Sequence, residues 1–347
     1  MDEANIRAAF AQQAVWCRLL GGDFTARVCD RLGEVLDAGT AVGSRVLGWP
    51  GDPLADALVL RLTGGLNALV RAGALPALAA VYPPRVADDA ALAGALTTAL
   101  ADDRLLPWLD SPPQTNEVAR AGVLMPGMMV IAAATGLPLR LFELGASAGL
   151  NLRMDAYGYR LGGVDVLPPH APLTLAPLWE GAPPPAAPVR VVARAGVDLA
   201  PVDLGDPAAA TRLLAYVWPE QAERIARLAA AIAAFVADPV AIARGDAAGW
   251  VEAQVAPLPG TATVVYHSIA WQYFPAATQA RIAAHLAAQG SRATADAPLA
   301  WLRFELDTSA SVGAPPTLRL RLWPGGEDRL LAHAHPHGAS VRWLGWR

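Results

Sequence analysis

The chain has 347 residues, with 27 basic residues against 31 acidic ones, a net charge of −4 and a pI of about 5.9. Hydrophobic residues make up 54% and charged residues 17%, which excludes a disordered chain and predicts a well-buried globular protein of one large or two ordinary domains. The acidic balance argues against general nucleic-acid binding, and the absence of lysine excludes P-loop and Schiff-base lysine chemistry.

Residues 1–120 predict an all-helical cap or recognition region. Amphipathic segments recur there between Pro and Gly breaks. The N-terminal sequence MDEANIRAAF begins with acids and lacks a signal-peptide pattern, and Cys17 and Cys29 show no CxxC spacing. Two reduced thiols and a cytoplasmic location are therefore expected. The predicted helices cover residues 6–20, 26–36, 54–72 and 90–101.

Residues 121–347 predict an α/β domain with a mostly parallel sheet, because strand and helix patterns alternate after residue 138. The uncharged run 121–139 is nearly long enough to cross a bilayer. It contains Pro126, Gly127 and Gly136, and it leads directly into the first strand. We therefore expect a buried helix packed under the sheet, and no membrane association.

The segment LRLFELGASAGLNL, residues 139–152, predicts a buried strand, a glycine turn and the start of a helix. Gly145 and Gly149 would let the backbone bend sharply and lie against a ligand. Glu143 stands just before the turn, where a carboxylate can reach an amine or a hydroxyl. The helix start would aim its N–H groups and positive dipole end at the same place. In doubly wound α/β proteins this combination holds a nucleotide-like cofactor.

The glycine turn also fits a second chemistry, that of a serine hydrolase. The sequence G-A-S-A-G at 145–149 matches the G-x-S-x-G elbow of hydrolases, with Ser147 as the nucleophile. Such an elbow normally follows several strands, whereas the residues before this strand predict helices. Position in the chain favours the cofactor turn. The serine hydrolase stays as an alternative, with His337 as the last member of a Ser, Asp, His order.

Acidic residues end the next two predicted strands. Asp198 follows VRVVARAGV and is placed to accept hydrogen bonds from ribose hydroxyls, or else to cap a turn. It lies farther from the turn than the usual spacing of about 20 residues, and a Pro-rich insertion at 157–188 accounts for the excess. Asp246 follows a third strand near 239–245, with Ala247 beside it. A lone Gly-Asp is also a common helix cap.

The fourth strand, TATVVYHS, ends in polar residues at the edge where active groups gather in open α/β sheets. His267 is a candidate general base, because histidine is the side chain most often used for proton transfer, and Ser268 lies beside it. The alternative is a buried histidine in ordinary aromatic packing. Aromatic residues that could wall a pocket follow the strand: Trp271, Tyr273 and Phe274.

The tail predicts a fifth strand near 299–306 and then a hairpin, with strands at 317–323 and 328–335 around Pro324-Gly325-Gly326. His333, His335 and His337 invite a metal interpretation, since residues two apart share a strand face. Pro336 interrupts that regularity and no acid follows nearby. We expect no metal, and a pocket rim in which His335 or His337 faces a substrate.

In this order the elements resemble class I S-adenosylmethionine-dependent methyltransferases. More specifically, the chain is similar to an uncharacterised bacterial group, domain-of-unknown-function family 2332, over nearly its whole length. That group has no settled activity, so the resemblance implies a Rossmann-like fold more than a function. The segments that carry it are QTNEVARAG, ELGASAGLNL, RAGVDLAPVDL, YVWPEQ, VVYHSIAWQY, APLAWLRFELD and WPGGEDRLLAHAHPHG.

The superfamily resemblance implies roles for individual residues. Asp198 would bind the ribose of S-adenosylmethionine, and Asp246 with Ala247 the adenine. His267 and Ser268 stand where catalytic residues of the fourth strand stand. The turn departs from the commoner G-x-G-x-G, and the fourth strand lacks an Asp-Pro-Pro-Tyr type motif. The methionine part would face Glu143, Gly145, Ala146, Ser147, Gly149 and Asn151.

The sequence thus supports three hypotheses. The first is a methyltransferase that uses S-adenosylmethionine and a small or medium polar acceptor. The second is the Ser147 hydrolase, and the third is a non-catalytic module that binds a nucleotide-like ligand or a protein. The candidate acceptor contacts are Asn116, Glu117, Arg120, Trp218 and His335.

Overall fold

The computed structural model describes residues 3–85, 87–306 and 314–346. The chain forms two compact units. The helical unit contains the chain up to Thr115 together with Gly205–Ala229, and the sheet unit contains Asn116–Leu204 together with the chain from Ala230 onward. The sequence predicted one boundary near residue 120, so the return of residues 205–229 to the helical unit is a departure from that division.

The regular elements are numbered in chain order. The α-helices are α1 Glu3–Leu19, α2 Asp23–Val35, α3 Ala41–Leu47, α4 Leu58–Arg71, α5 Pro76–Ala79, α6 Asp89–Ala99, α7 Ala121–Thr135, α8 Pro207–Ala215, α9 Ala222–Ala237, α10 Ala247–Gln254 and α11 Ala276–Gly290. The strands are β1 Leu139–Leu144, β2 Gly158–Leu161, β3 Val164–Val166, β4 Thr174–Leu175, β5 Leu178–Glu180, β6 Val191–Asp198, β7 Ile242–Arg244, β8 Ala262–Ser268, β9 Leu299–Glu305, β10 Thr317–Trp323, β11 Glu327–Ala334 and β12 Ser340–Trp343. Short 3₁₀ helices cover Asp103–Leu109, Val118–Arg120, Leu150–Ala156 and Trp271–Tyr273.

Buried polar side chains explain why residues 205–229 join the helical unit. The Asn67 side chain donates from Nδ2 to the carbonyl oxygens of Ala215 and Val217, both at 2.9 Å. Glu220 accepts from the backbone N–H of Thr25 at 2.9 Å and from its hydroxyl at 2.8 Å. Asn67 thus satisfies carbonyl groups at and just after the end of α8, and Glu220 satisfies the two donors of Thr25.

The sheet unit is a mixed α/β domain, as expected, with a helical region before it in the chain. Its main sheet has nine strands in the order β5-β12-β11-β10-β9-β8-β1-β6-β7. Strands β7, β6, β1, β8 and β9 are parallel to one another, and β9 to β12 form an antiparallel meander. The chain steps outward from β1 through β6 to β7 and then returns to the other side of β1. The order therefore reverses between β1 and β8, where open α/β sheets bind ligands.

The apolar run before β1 forms α7, and its burial agrees with the predicted buried helix. By length and composition the window Val118–Thr135 could cross a membrane, but 78% of it is buried inside the protein. Gly127 lets the helix approach the sheet closely, because a Cβ at this position would lie 2.6 Å from Leu302 Cδ1. The helix therefore serves as one apolar layer of the sheet unit.

The element after the glycine turn differs from the expected α-helix. Leu150–Ala156 is a 3₁₀ helix of seven residues. The hydroxyl of Tyr157 donates to the Leu150 carbonyl oxygen at 2.7 Å, and Leu152 N–H bonds to the Gly149 carbonyl at 3.0 Å. The Tyr157 hydroxyl thus satisfies the first carbonyl of this short 3₁₀ turn.

The Pro-rich insertion is more ordered than the loop that its composition predicted. Strands β2, β3 and β4 form a small sheet, and β5 adds to the edge of the main sheet beside β12. Gly162 and Gly163, with φ of +58° and +96°, form the two-residue turn between β2 and β3. A Gly-Gly pair supplies positive φ at both central positions, as such hairpin turns require.

Candidate functional site

Buried polar side chains gather at the carboxyl ends of β1 and β8 in the sheet unit. Glu143 lies opposite Tyr266 of β8 and Gly196 of β6 in the strand register. The 3₁₀ turn Val118–Arg120 and the glycine turn complete this group. We name it the crevice cluster, and its buried polar members are Asn116, Glu117, Glu143, Ser147, Asn151, His267 and Ser268.

The glycine turn alternates backbone conformations. Residues 145, 147 and 149 have φ of +67°, +53° and +76°. Glycine adopts this region freely, whereas Ser147 does so at a cost of about 1 kcal/mol. The middle residue therefore keeps a glycine-like backbone while it carries a hydroxyl.

The two glycines are explained by packing against protein. A Cβ at Gly145 would lie 2.8 Å from Ala270 Cβ, and one at Gly149 would lie 2.7 Å from Ile242 Cδ1. Ala146 and Ala148 are fully buried. The space beside both glycines is therefore occupied by neighbouring side chains.

The N–H groups of the turn are also used within the protein. Gly145 and Ala146 both donate to the Val197 carbonyl, at 2.9 and 3.1 Å. Ser147 N–H donates to Asp198 Oδ2 at 2.8 Å, and Leu150 N–H donates to Asn116 Oδ1 at 2.9 Å. A phosphate cradle needs free N–H groups, and these four are already donated within the protein.

Glu143 is the most perturbed acid of the cluster. Its side chain is 2% exposed, and burial raises its pKa to about 8. The Tyr266 hydroxyl donates to Glu143 Oε2 at 3.2 Å and lowers the pKa. The positive charge of Arg120 and the Asn151 amide also lower it, whereas the negative charge of Asp198 raises it further. Glu143 is consequently mostly protonated at pH 7, and a cation placed against it would favour its ionised form.

Ser147 Oγ and Asn151 Oδ1 are buried polar atoms of the cluster with no hydrogen-bond partner within the described ranges, and these two residues are 7% and 1% exposed. A buried polar atom without a partner costs about 1–3 kcal/mol. A polar ligand placed against these two atoms would supply the partners that they lack.

The predicted acceptor residues near the start of α7 do join this cluster. Glu117 Oε1 accepts from Ala119 N–H at 3.0 Å. Arg120 donates from Nη1 to the Ser268 carbonyl at 3.1 Å and from Nε to the Pro336 carbonyl at 3.0 Å. The guanidinium therefore ties the end of β8 to the turn that contains His335, whose Nδ1 accepts from the His337 N–H at 3.1 Å.

His267 is enclosed by protein. Its Nδ1 lies 2.6 Å from Glu305 Oε1, the Trp301 indole donates to its Nε2 at 3.2 Å, and its ring stacks on Trp271. Because Trp301 occupies Nε2, the ring proton lies on Nδ1 and is donated to Glu305. Glu305 also accepts the Ala270 N–H at 3.1 Å. Both ring nitrogens are hydrogen-bonded, so the His267 ring positions the loop between β8 and α11. Its partner Glu305, at the end of β9, was missed by the sequence analysis.

Asp198 at the end of β6 and Asp246 just after β7 differ in how fully their carboxylate oxygens are already hydrogen-bonded. Asp198 accepts one N–H on each oxygen, from Ser147 and from Ala200, which leaves further lone pairs. Asp246 caps α10 by accepting Gly249 N–H at 3.0 Å, accepts the Thr278 hydroxyl at 3.1 Å, and its side chain is 46% exposed. Ala247 beside it is buried. The helix-cap alternative thus describes Asp246.

Trp218 belongs to the helical unit, whereas the other candidate acceptor contacts belong to the sheet unit. Its ring packs on Gly22, where a Cβ would lie 2.4 Å from Trp218 Cε3.

The described ranges contain no group of three or more His, Cys, Asp or Glu side chains arranged to hold a metal. Ser147 Oγ has no imidazole partner within them either, so the pairing that a serine hydrolase requires is not formed.

The comparisons with known proteins identify a family but no activity. No curated protein and no solved structure matches the chain. Residues 7–343 match the model of a family described as "Uncharacterized protein conserved in bacteria (DUF2332)". The chain therefore belongs to this uncharacterised bacterial family, DUF2332.

Proposed function

We propose that this protein is an S-adenosylmethionine-dependent methyltransferase whose cofactor lies at the crevice cluster. The observation that carries the proposal is the pair of buried, unpartnered atoms, Ser147 Oγ and Asn151 Oδ1, beside the buried acid Glu143. They lie where the sheet order reverses, the usual ligand site of open α/β sheets.

The hydrogen bonds of the turn favour this cofactor over a dinucleotide. A pyrophosphate would need free N–H groups, and those of Gly145, Ala146 and Ser147 are donated to β6. S-adenosylmethionine carries no phosphate. Side-chain oxygens and carboxylates suit its amine, its hydroxyls and its positive charge.

The residues of the crevice cluster fit the parts of such a molecule. Asp198 has lone pairs left for ribose hydroxyls, and ionised Glu143 would oppose a cationic amine or sulfonium. Ser147 Oγ and Asn151 Oδ1 would gain the partners that they lack. Asp246 is left out of direct contact because its carboxylate already caps α10.

When bound, S-adenosylmethionine supplies an electrophilic methyl group and leaves as S-adenosylhomocysteine. The protein has to hold the acceptor in line with that methyl group and accept its proton if it carries one. Arg120 fixes the Ser268 end of β8 and the His335 turn, so Asn116, Glu117 and His335 are the proposed acceptor contacts. We assign His267 a positioning role, since both of its ring nitrogens are engaged.

Calorimetric titration with S-adenosylmethionine and S-adenosylhomocysteine tests the proposal. We expect saturable binding that weakens about tenfold in Asp198→Asn, the loss of about 1.4 kcal/mol that one hydrogen bond to a charged group contributes. Asp206→Asn is the matched control, because Asp206 also accepts the N–H two residues ahead at 2.9 Å but caps α8 in the helical unit. Absence of binding to either ligand at millimolar concentration would refute the proposal.

A further inference from the structure

A second cluster of charged residues lies on the antiparallel half of the main sheet. Arg303 of β9 is directly opposite Arg319 of β10, and Arg321 is opposite both Trp301 of β9 and Asp328 of β11. Residues that face one another across neighbouring strands point to the same side of the sheet. Three guanidinium groups therefore share one face, which we name the arginine face.

The carboxylate of Asp328 bonds to two of these three cations. Arg303 Nη2 bonds to Asp328 Oδ2, and Arg319 Nε bonds to Asp328 Oδ1 at 3.1 Å. Within the described ranges Arg321 forms no ion pair, and its Nε, like that of Arg303, is buried without a hydrogen-bond partner. Glu305, opposite Thr317, lies on the same side of the sheet, so three guanidinium groups and two carboxylates leave an excess of one positive charge in a chain whose net charge is −4. Like charges placed opposite one another in a sheet are unfavourable unless an anion balances them.

Stacking on tryptophan holds two of the guanidinium groups in place. The Arg303 guanidinium carbon lies 4.5 Å from the centre of the Trp301 ring, and that of Arg321 lies 5.4 Å from the Trp323 ring. Both arginines stand on strands, and the Arg303 and Arg319 side chains remain 20% and 40% exposed. The groups are thus fixed before any ligand arrives and can still be reached from solvent, which lowers the entropy cost of binding.

We propose that the arginine face, built from Arg303, Arg319 and Arg321, binds a phosphate group. Guanidinium forks match the tetrahedral arrangement of phosphate oxygens better than an ammonium does, and their charge persists at every physiological pH. This site uses none of the residues assigned to the proposed cofactor, so either proposal stands or fails without the other.

Thermal unfolding of the full chain in sodium phosphate, compared with sodium chloride at equal ionic strength, tests the site. We expect phosphate to raise Tm by about 2–4 °C beyond chloride. The shift should be lost in Arg321→Gln, which breaks no ion pair, and in Arg319→Gln. Arg329→Gln is the control, since Arg329 also stacks on a tryptophan, Trp346, but faces Leu320 on the other side of the sheet.

Three further measurements test whether the bound anion is phosphate. Asp328→Asn removes the competing carboxylate and should enlarge the phosphate shift, while sodium acetate should give less than half of it. ³¹P line broadening of inorganic phosphate by the wild-type chain, absent with Arg321→Gln, would show direct contact. An equal shift in chloride or acetate, or a phosphate shift that survives in both Arg321→Gln and Arg319→Gln, would overturn the proposal.

Discussion

Buried polar side chains of two kinds can be compared, one in the helical unit and one in the crevice cluster of the sheet unit. In the helical unit Asn67, Thr25 and Arg61 each bond to groups that hold distant segments together; Arg61 donates to the carbonyls of Asp56 and Leu109 at 2.7 and 2.9 Å. In the sheet unit the crevice cluster leaves Ser147 Oγ and Asn151 Oδ1 unpartnered within the described ranges. Buried polar groups of the first kind stabilise a fold, whereas those of the second kind reduce stability unless a ligand pairs with them.

Glycines with positive φ give the sharpest contrast between the two regions. Gly149→Val combines a disfavoured φ of +76° with a Cβ 2.7 Å from Ile242, so we expect a loss of about 3–5 kcal/mol in the free energy of unfolding. Gly73→Val in the helical unit has the same strain, with a φ of +70° and open space around it, and should cost about 1 kcal/mol. Denaturant unfolding of both variants measures these two losses in the free energy of unfolding. Equal losses would show that the Gly149 packing is not as described.

Protonation of Glu143 should make stability depend on pH. The folded-state pKa of about 8 lies above the model value of 4.5, so the folded protein binds more protons between these values and its stability falls as pH rises through them. Each unit of pKa difference corresponds to roughly 1.4 kcal/mol. Glu143→Gln should therefore match wild type near pH 4.5 and exceed its free energy of unfolding by a few kcal/mol near pH 8.

The control for this pH series is Glu252→Gln, whose carboxylate pairs with Arg281 on the surface and has a lowered pKa. It should not stabilise the protein as pH rises. A Glu143→Gln variant that loses stability at pH 8 would mean that the ionised carboxylate is required by the fold.

Removing a buried polar group should change the free energy of unfolding much more in the helical unit than in the crevice cluster. Asn67→Ala leaves two carbonyl groups without partners and should cost about 2–3 kcal/mol. Ser147→Ala should change the free energy of unfolding by less than about 0.5 kcal/mol, since its hydroxyl has no partner among the described residues. The same variant should weaken S-adenosylmethionine binding. Comparable losses of stability in both variants would remove the distinction between the two regions.

The smallest expected effect concerns the hydrolase alternative. A fluorophosphonate probe should not label Ser147 above background, because no imidazole is hydrogen-bonded to its Oγ within the described ranges. The comparison is wild type against Ser147→Ala, read by mass spectrometry. Labelling that disappears in the variant would favour the hydrolase and count against the crevice as a cofactor site.

Much of the sheet could be predicted from local pattern. The strands near 139–144, 262–268, 299–306 and 317–323 are short apolar or alternating runs between turn residues, and the structure confirms them. Acids at the ends of β1 and β6 were also visible, because parallel strands bring their carboxyl ends to one edge. What the sequence predicted was therefore the order of elements and the edge at which polar residues meet.

The remaining features depend on contacts between distant residues. Nothing local shows that Trp301 and Glu305 occupy both nitrogens of His267, nor that Ile242 fills the face of Gly149. The arginine face needs the register between β9, β10 and β11, which shifts between Leu318 and Arg319. Alternation along β10 indicates that Arg319 and Arg321 share a side, but only the pairing brings Arg303 and Asp328 to them.

A crystal structure of the protein soaked with S-adenosylhomocysteine tests the central claim most directly. The account predicts ligand density against residues 143–151, with ribose hydroxyls within hydrogen-bond distance of Asp198 and a polar ligand atom on Ser147 Oγ or Asn151 Oδ1. Density at another site, or a crevice that stays closed when calorimetry shows the crystal concentration to be saturating, would contradict it.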